Sequence, residues 1–161
     1  MHLRRPTLTD LDSLLELEAR SYPADEAASR ESLAYRISNA PACFRLAEDG
    51  GGLLGFVCGT LSRDEHLLDA SMSEHHADGA SLCIHSVVVD PDRRRKGVGR
   101  ALVGAYLDAV APDLPDVTRV LLICKEHLKA FYASNGFELV GLSEVVHGQD
   151  PWFEMRRPLG A

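Results

Sequence analysis

SLCIHSVVVDPDRRRKGVGR, residues Ser81 to Arg100, changes character twice, and the rest of the chain falls into place around it. It opens on β-branched and apolar residues, Ile84, Val87, Val88 and Val89, then meets Asp90 and Pro91, which strands tolerate poorly and turns favour. A buried strand is therefore expected to end near Val89. A basic loop follows from Arg93 to Lys96, and Gly97-Val98-Gly99 then leads into Ala101, Leu102, Val103, Tyr106, Leu107 and Val110 at helical spacing. Strand, basic glycine loop and helix, in that order, aim the free N–H groups of a helix N-terminus and the positive end of its dipole at one spot. The pattern reads as a cradle for a pyrophosphate.

The spacing excludes two familiar cradles. A Walker loop needs a Lys-Ser/Thr pair after its last glycine, and a dinucleotide fold needs G-x-G-x-x-G with an acidic residue about 20 positions on. Neither pattern stands here. Composition narrows the class further. The chain of 161 residues suits one domain, residues 1–161, with a core that needs no staples. No apolar run approaches the roughly 20 residues of a membrane span, and no signal-peptide pattern opens the chain, so a cytoplasmic protein with no membrane partner is expected. The four cysteines, Cys43, Cys58, Cys83 and Cys124, sit singly in apolar surroundings without C-x-x-C spacing, which favours reduced core thiols over bridges or a zinc site. A net charge of −7 argues against a nucleic-acid surface and suits cationic substrates. His66, His75 and His76 have no regular ligand spacing to Cys or Asp, so no metal is expected.

In chain order, His2 to Arg5 reads as a strand. Thr9, before Asp10 and Asp12, reads as the capped start of a helix with Leu11, Leu14, Leu15 and Leu17 inward. Ser29 caps a second helix through Leu33, Tyr35 and Ile37, which Asn39-Ala40-Pro41 stops. The polar linker between them, Tyr22 to Glu26, is placed near a substrate entrance. Cys43 to Glu48 and Leu53 to Leu61 flank Asp49-Gly50-Gly51-Gly52, a hairpin signal, and a short helix is expected within His66 to Ser73. Thr118 to Cys124 reads as a fifth strand and His127 to Ser134 as a helix ended by Asn135-Gly136. Phe137 to Val146 and Trp152 to Arg157 read as a closing hairpin.

The loop Arg94-Arg95-Lys96-Gly97-Val98-Gly99 resembles the R/Q-x-x-G-x-G/A acetyl-CoA loop of the GNAT N-acetyltransferase superfamily, and the element order fits that fold. Within it, Gly59-Thr60-Leu61, Leu67 to His75, Cys83-Ile84-His85, Cys124-Lys125-Glu126 and Phe131-Tyr132 are most similar to the arylalkylamine (serotonin) N-acetyltransferases, of non-vertebrate or microbial type. The resemblance implies a mixed α/β acyl-CoA N-acyltransferase fold, a mostly antiparallel sheet of about seven strands with about four helices. It also implies direct transfer of acetyl from acetyl-CoA to an amine in a ternary complex. The pantetheine arm would pair with the backbone of Val87, Val88 and Val89. The pyrophosphate would rest on Arg94, Arg95, Lys96, Gly97, Val98, Gly99 and Arg100.

A protonated amine has no free lone pair, so the chemistry needs one proton acceptor, and the departing thiolate gains from one donor. The resemblance assigns the donor to Tyr132, at the coenzyme A sulfur. Of the two histidines that vertebrate members carry on the fourth strand, only His85 is present, with Cys83 on the same strand face as its lost companion. His85 is expected to relay the proton with a pKa near operating pH, and the Thr60 hydroxyl to order the relay water. Tyr22, Pro23, Ile123, Leu142 and Trp152 are the candidate amine pocket. Vertebrate members have a longer loop between the first two helices and flanking segments that bind 14-3-3 proteins. The short Tyr22 to Ala28 linker cannot reproduce that loop, which opens the substrate range to polyamines, and the chain's ends predict no 14-3-3 regulation. The resemblance implies an acceptor such as serotonin, tryptamine or phenethylamine, and a monomer or weak homodimer is expected. A polyamine or protein N-terminal/lysine acetyltransferase is the nearer alternative, and a non-catalytic acetyl-CoA-binding sensor the further one.

Overall fold

The chain order is realised in the computed structural model, which describes residues 1–94 and 97–159. The elements are β1 (His2–Arg4), α1 (Leu11–Ser21), α2 (Arg30–Asn39), β2 (Phe44–Asp49), β3 (Gly52–Ser62), β4 (Ser81–Val89), α3 (Val98–Val110), β5 (Arg119–Cys124), α4 (Lys129–Ala133), β6 (Glu138–Leu142) and β7 (Phe153–Pro158). The seven strands form one sheet in the order β1-β2-β3-β4-β5-β7-β6. Every neighbouring pair is antiparallel except β4 with β5. The last two strands do form a hairpin, but β7 slots between β5 and β6.

Two layers of helix cover this sheet, because alternate strand residues face opposite sides. Phe56 and Cys58 of β3 pack with Leu11, Leu14 and Leu17 of α1 and Leu33 and Ile37 of α2. Val57, between them in sequence, packs instead with Leu102, Val103, Tyr106 and Val110 of α3. Leu14 and Leu33 are fully buried, and each such side chain contributes on the order of 2 kcal/mol of hydrophobic stabilisation. A smaller cluster, Leu67, Cys83, Leu121 and Val145, lies under the loops at one end.

Local chemistry shifts some boundaries. The first helix is entered from Thr7 rather than Thr9, through a 3-10 turn at Leu8–Asp10. There the Thr7 N–H donates to the Asp10 carboxylate at 2.8 Å, and Arg4 clasps the same carboxylate at 2.9 and 3.0 Å. The expected helix within His66 to Ser73 is only a 3-10 turn, Asp69–Met72. The strand expected to reach Val146 stops at Leu142, leaving a loop that returns over the sheet end.

Two irregularities in β4 create the site. The ladder with β5 ends at Ile84↔Leu122, so the strands part beyond it and the far end of β4 has no strand on that edge. On its other edge Ser86 pairs with Cys58 and Ile84 with Gly59, which leaves His85 as the extra residue of a bulge. Such bulges re-aim a side chain. Gly59 permits this one, since a Cβ there would sit 2.4 Å from the Cys83 carbonyl oxygen.

Candidate active site

The loop after β4 turns into α3 at Gly97, whose φ of +86° is a left-handed conformation that glycine adopts without strain. Gly99 is required for a different reason: a Cβ there would lie 3.2 Å from the Phe131 ring, so the glycine lets α4 approach the start of α3. Val98, Gly99 and Arg100 therefore open α3 with N–H groups that no turn before them uses. Arg94 and Arg100 are exposed beside them, while the candidates Arg95 and Lys96 fall outside the described residues. Arg93 has a separate task, pairing with Asp49 and donating to the Gly52 and Leu53 carbonyls at 3.2 Å each. It locks the β2–β3 hairpin.

Where β4 and β5 part, a cavity of about 500 Å³ opens, lined by Val87 and His85 of β4, Ile123 of β5, Tyr22, Tyr132 and Trp152 among others. Val88 and Val89 instead face the two cores on either side of the sheet. The Tyr22 hydroxyl donates to the Val87 carbonyl at 3.1 Å, and the Val87 N–H points back to it at 3.5 Å. Pro23 also lines this cavity. Leu142 does not: it is 69% exposed on β6, the outermost strand, where the order of the last two strands carries it away from the site.

Behind His85 runs a short chain of hydrogen bonds. The Thr60 hydroxyl is 2.6 Å from the Ser71 carbonyl and 2.8 Å from His85 Nε2. A hydroxyl has one proton, and the carbonyl can only accept it, so Thr60 must accept from an Nε2–H. That fixes the tautomer and leaves the lone pair on Nδ1, which is buried and has no hydrogen-bond partner. Thr60 is itself fully buried and does not line the cavity, so it orients the imidazole and does not order water as expected. Burial, with the positive charge of Arg36 adding to it, pushes the His85 pKa well below the usual imidazole value. The ring is thus neutral at physiological pH, and the expectation of a pKa near operating pH is corrected. Burial pushes the Cys83 thiol up to about 12, so it carries no charge.

Tyr132 packs edge-on against Phe131 and Phe137, with ring centroids 4.9 and 5.8 Å away. Burial raises its pKa well above that of a free phenol, so it keeps its proton. At the mouth, Lys125 bridges the linker and the late loop, pairing with Glu26 at 2.7 Å and Asp150 at 3.3 Å. Trp152 is held by its indole N–H, which donates to the His147 carbonyl at 2.7 Å.

Glu18, Ser21 and Arg36 also line the cavity, and sequence reasoning missed all three. The signal was present. Glu18 continues the inward stripe of Leu11 and Leu14, and Arg36 follows Leu33 by three residues, so charged side chains occupy buried helical positions. Among the described residues, the buried polar side-chain atoms without a partner belong to Glu18, Ser21, Arg36 and His85, all of which line this cavity. Buried polar groups are nearly always satisfied, so their convergence marks a place built for a polar ligand.

Among the described residues, no group of His, Cys, Asp and Glu is placed to hold a metal ion, and no helix is long and apolar enough to cross a membrane. The serotonin N-acetyltransferase of Mesocricetus auratus is 31% identical over 106 residues, which are 66% of this chain and 51% of that protein. The chain thus spans about half the length of the curated relatives it matches. In three dimensions it is similar to the GphF GNAT-like decarboxylase in complex with isobutyryl-CoA, with a TM-score of 0.83, 21% identity and coverage of 99% of this chain and 100% of that one. The loading GNATL domain of CurA from Lyngbya majuscula superposes with a TM-score of 0.86 at 15% identity, covering 98% of this chain and 97% of that one. The profile of the Acetyltransferase (GNAT) family matches residues 11–137. With its parted central strands, glycine-led third helix and sheet order, the chain belongs to the GNAT acetyltransferase family.

Proposed function

We propose that this protein is an acetyl-CoA-dependent N-acetyltransferase that acts on a small primary amine of the arylalkylamine class, by direct transfer in a ternary complex. The reading is carried by the relay of Ser71 carbonyl, Thr60 hydroxyl and His85, which ends on an unpartnered lone pair in a cavity that Tyr132 also lines. The parted edge of β4 at Val87 and the N–H groups opening α3 fit a pantetheine arm and a pyrophosphate. Gly97, with its positive φ, and Gly99, against Phe131, are what that cradle needs. Acetyl-CoA supplies the activated acetyl as a thioester.

His85 Nδ1 takes, through a water, the proton that an ammonium must lose before its nitrogen can attack. The C–N bond forms as the C–S bond breaks, and Tyr132 gives its proton to the leaving sulfur. The nitrogen sheds a second proton as the amide forms, which returns through water to Tyr132, and His85 gives the first to solvent, so acetylation of an ammonium releases one proton overall. No covalent acyl-enzyme is involved, and Cys83, held protonated, takes no part.

An acceptor panel tests this. Tryptamine, phenethylamine, serotonin, spermidine and peptides with free N-termini or lysines are each supplied with acetyl-CoA, and thiol release and product mass are read together. Acetylated arylalkylamines are expected. Acetylated peptides with untouched free amines would contradict the reading in favour of a protein acetyltransferase. Acetyl-CoA binding without turnover would leave a sensor.

A further inference from the structure

The proposed reaction leaves one charge in the cavity unused. Arg36 is 3% exposed, yet it lines the cavity from the inner side of α2. Its Nη2 donates to the Met72 carbonyl at 3.1 Å, and Nη1 faces only the Cys58 sulfur, a weak acceptor, at 3.8 Å. Its Nε has no hydrogen-bond partner among the described residues. Among the described residues no carboxylate comes within ion-pair distance of it. A guanidinium has N–H donors arranged as a fork that matches a carboxylate, and an unpaired buried charge is costly.

Glu18 faces the same cavity from α1 and is 2% exposed. The Ala28 N–H donates to one of its oxygens at 3.0 Å and the Ser86 hydroxyl also bears on the carboxylate, while Oε1 is left without a hydrogen-bond partner among the described residues. The cavity thus contains an anion site at Arg36 and acceptor sites at Glu18 and His85 Nδ1 that are not hydrogen-bonded to one another. An amine without an acidic group would bring a second positive charge in beside Arg36, and like charges in a poorly solvated space repel strongly. An amine with a carboxylate next to it satisfies all three groups at once.

We infer that the acceptor is an amino acid, its carboxylate held by Arg36 and its amino group turned to His85 and Glu18, with the apolar side chain toward Ile123 and Trp152. This rests on the proposed acetyl transfer and departs from it in one respect: the preferred acceptor is an arylalkylamine that carries a carboxylate beside its amine, with the plain amine a weaker substrate. The bonds made and broken are the same, C–N for C–S, and the product is an N-acetylamino acid.

The test uses substrate pairs that differ only in the carboxylate: L-tryptophan against tryptamine, and L-phenylalanine against phenethylamine. The ratio of kcat/KM within each pair is measured for the parent, Arg36→Lys and Arg36→Met. The parent should favour the carboxylated member by at least about tenfold, and Arg36→Met should lower that ratio by at least about tenfold, the usual scale for a lost charged hydrogen bond. Arg36→Lys should lie between, because it keeps the charge but loses the fork. A parent that favours the plain amines, or ratios that the variants leave unchanged, would overturn the inference. Acetyl-CoA affinity by calorimetry identifies folded variants, and if Arg36→Met does not fold, Arg36→Lys decides. Binding of N-acetyl-L-tryptophan against N-acetyltryptamine reads the site without turnover. Should no amine be acetylated, an Arg36-dependent preference for N-acetyl-L-tryptophan would still support the carboxylate site, and equal binding would overturn it. An Arg36-dependent preference for malonyl-CoA over acetyl-CoA, with no preference between acceptors, would also overturn it by moving the carboxylate to the donor.

Discussion

In the proposed reaction His85 works as a neutral imidazole whose useful atom is chosen for it by its neighbours. Thr60 accepts a hydrogen bond from Nε2–H and donates its own O–H to the Ser71 carbonyl, so Nδ1 is the ring atom left with a free lone pair. Thr60→Val removes that acceptor, frees the ring to change tautomer and should lower kcat by about tenfold or more with acetyl-CoA affinity little altered. Cys83→Ala should leave kcat within about twofold, because a thiol pushed up to about 12 contributes neither charge nor a strong hydrogen bond. Equal losses in the two variants would assign both residues to packing. The pairing of His85 with Thr60 was legible because neighbouring strands β3 and β4 bring them side by side, and Tyr132, from α4, lines the same cavity as His85. The way Thr60 acts was not, since the partner that fixes it is a backbone carbonyl in the 3-10 turn at Asp69–Met72, and no residue type encodes that contact. Glu18 and Arg36 were legible only as charges on apolar stripes, and a stripe does not say which cavity it faces.

At the scale of elements, β4 and α3 stand where the sequence reading put them, and Arg93, read with the basic loop, turns elsewhere. Arg93 belongs to the β2–β3 hairpin through Asp49 and the carbonyls of Gly52 and Leu53, which the order of basic residues alone does not reveal. Gly97→Val forces a β-branched residue into a left-handed conformation at the first turn of α3. It should raise the acetyl-CoA dissociation constant by about tenfold, as read by calorimetry, with thermal stability falling less than affinity. Unchanged affinity would remove the glycine loop from the cofactor site. The bulge at His85 was hidden in a sequence whose alternation reads as one regular strand. Its cause lies across the ladder, where Gly59 accepts a close carbonyl. Strand pairing of this kind depends on a residue distant in sequence, so periodicity within Ser81–Val89 cannot report it.

Over the whole molecule, element order was readable because apolar periodicity and turn residues mark most boundaries, whereas the insertion of β7 between β5 and β6 is a matter of long-range pairing. That insertion is why Leu142 faces solvent and not the cavity. The buried site also links folding to pH. His85 has a folded pKa well below its unfolded value, so below about 6.5 the unfolded chain binds a proton that the native one refuses. Stability should therefore fall as pH drops through that region, and His85→Gln should flatten the fall in Tm between about pH 7 and 5. Glu18, whose pKa burial raises, acts with the opposite sign in both proteins, so the difference between them isolates His85. A fall in Tm that is identical in both would contradict the burial assigned to the ring. The most direct test of the central claim is kcat/KM against pH for the parent and His85→Gln, with whichever of tryptamine and L-tryptophan the parent acetylates faster. The account predicts no break near pH 6.5 in the parent, a loss in the variant that is greatest at neutral pH and below, and a gap that narrows as the free amine accumulates at about pH 9 to 10. Profiles that run parallel across the whole range would mean that the proton leaves by another route.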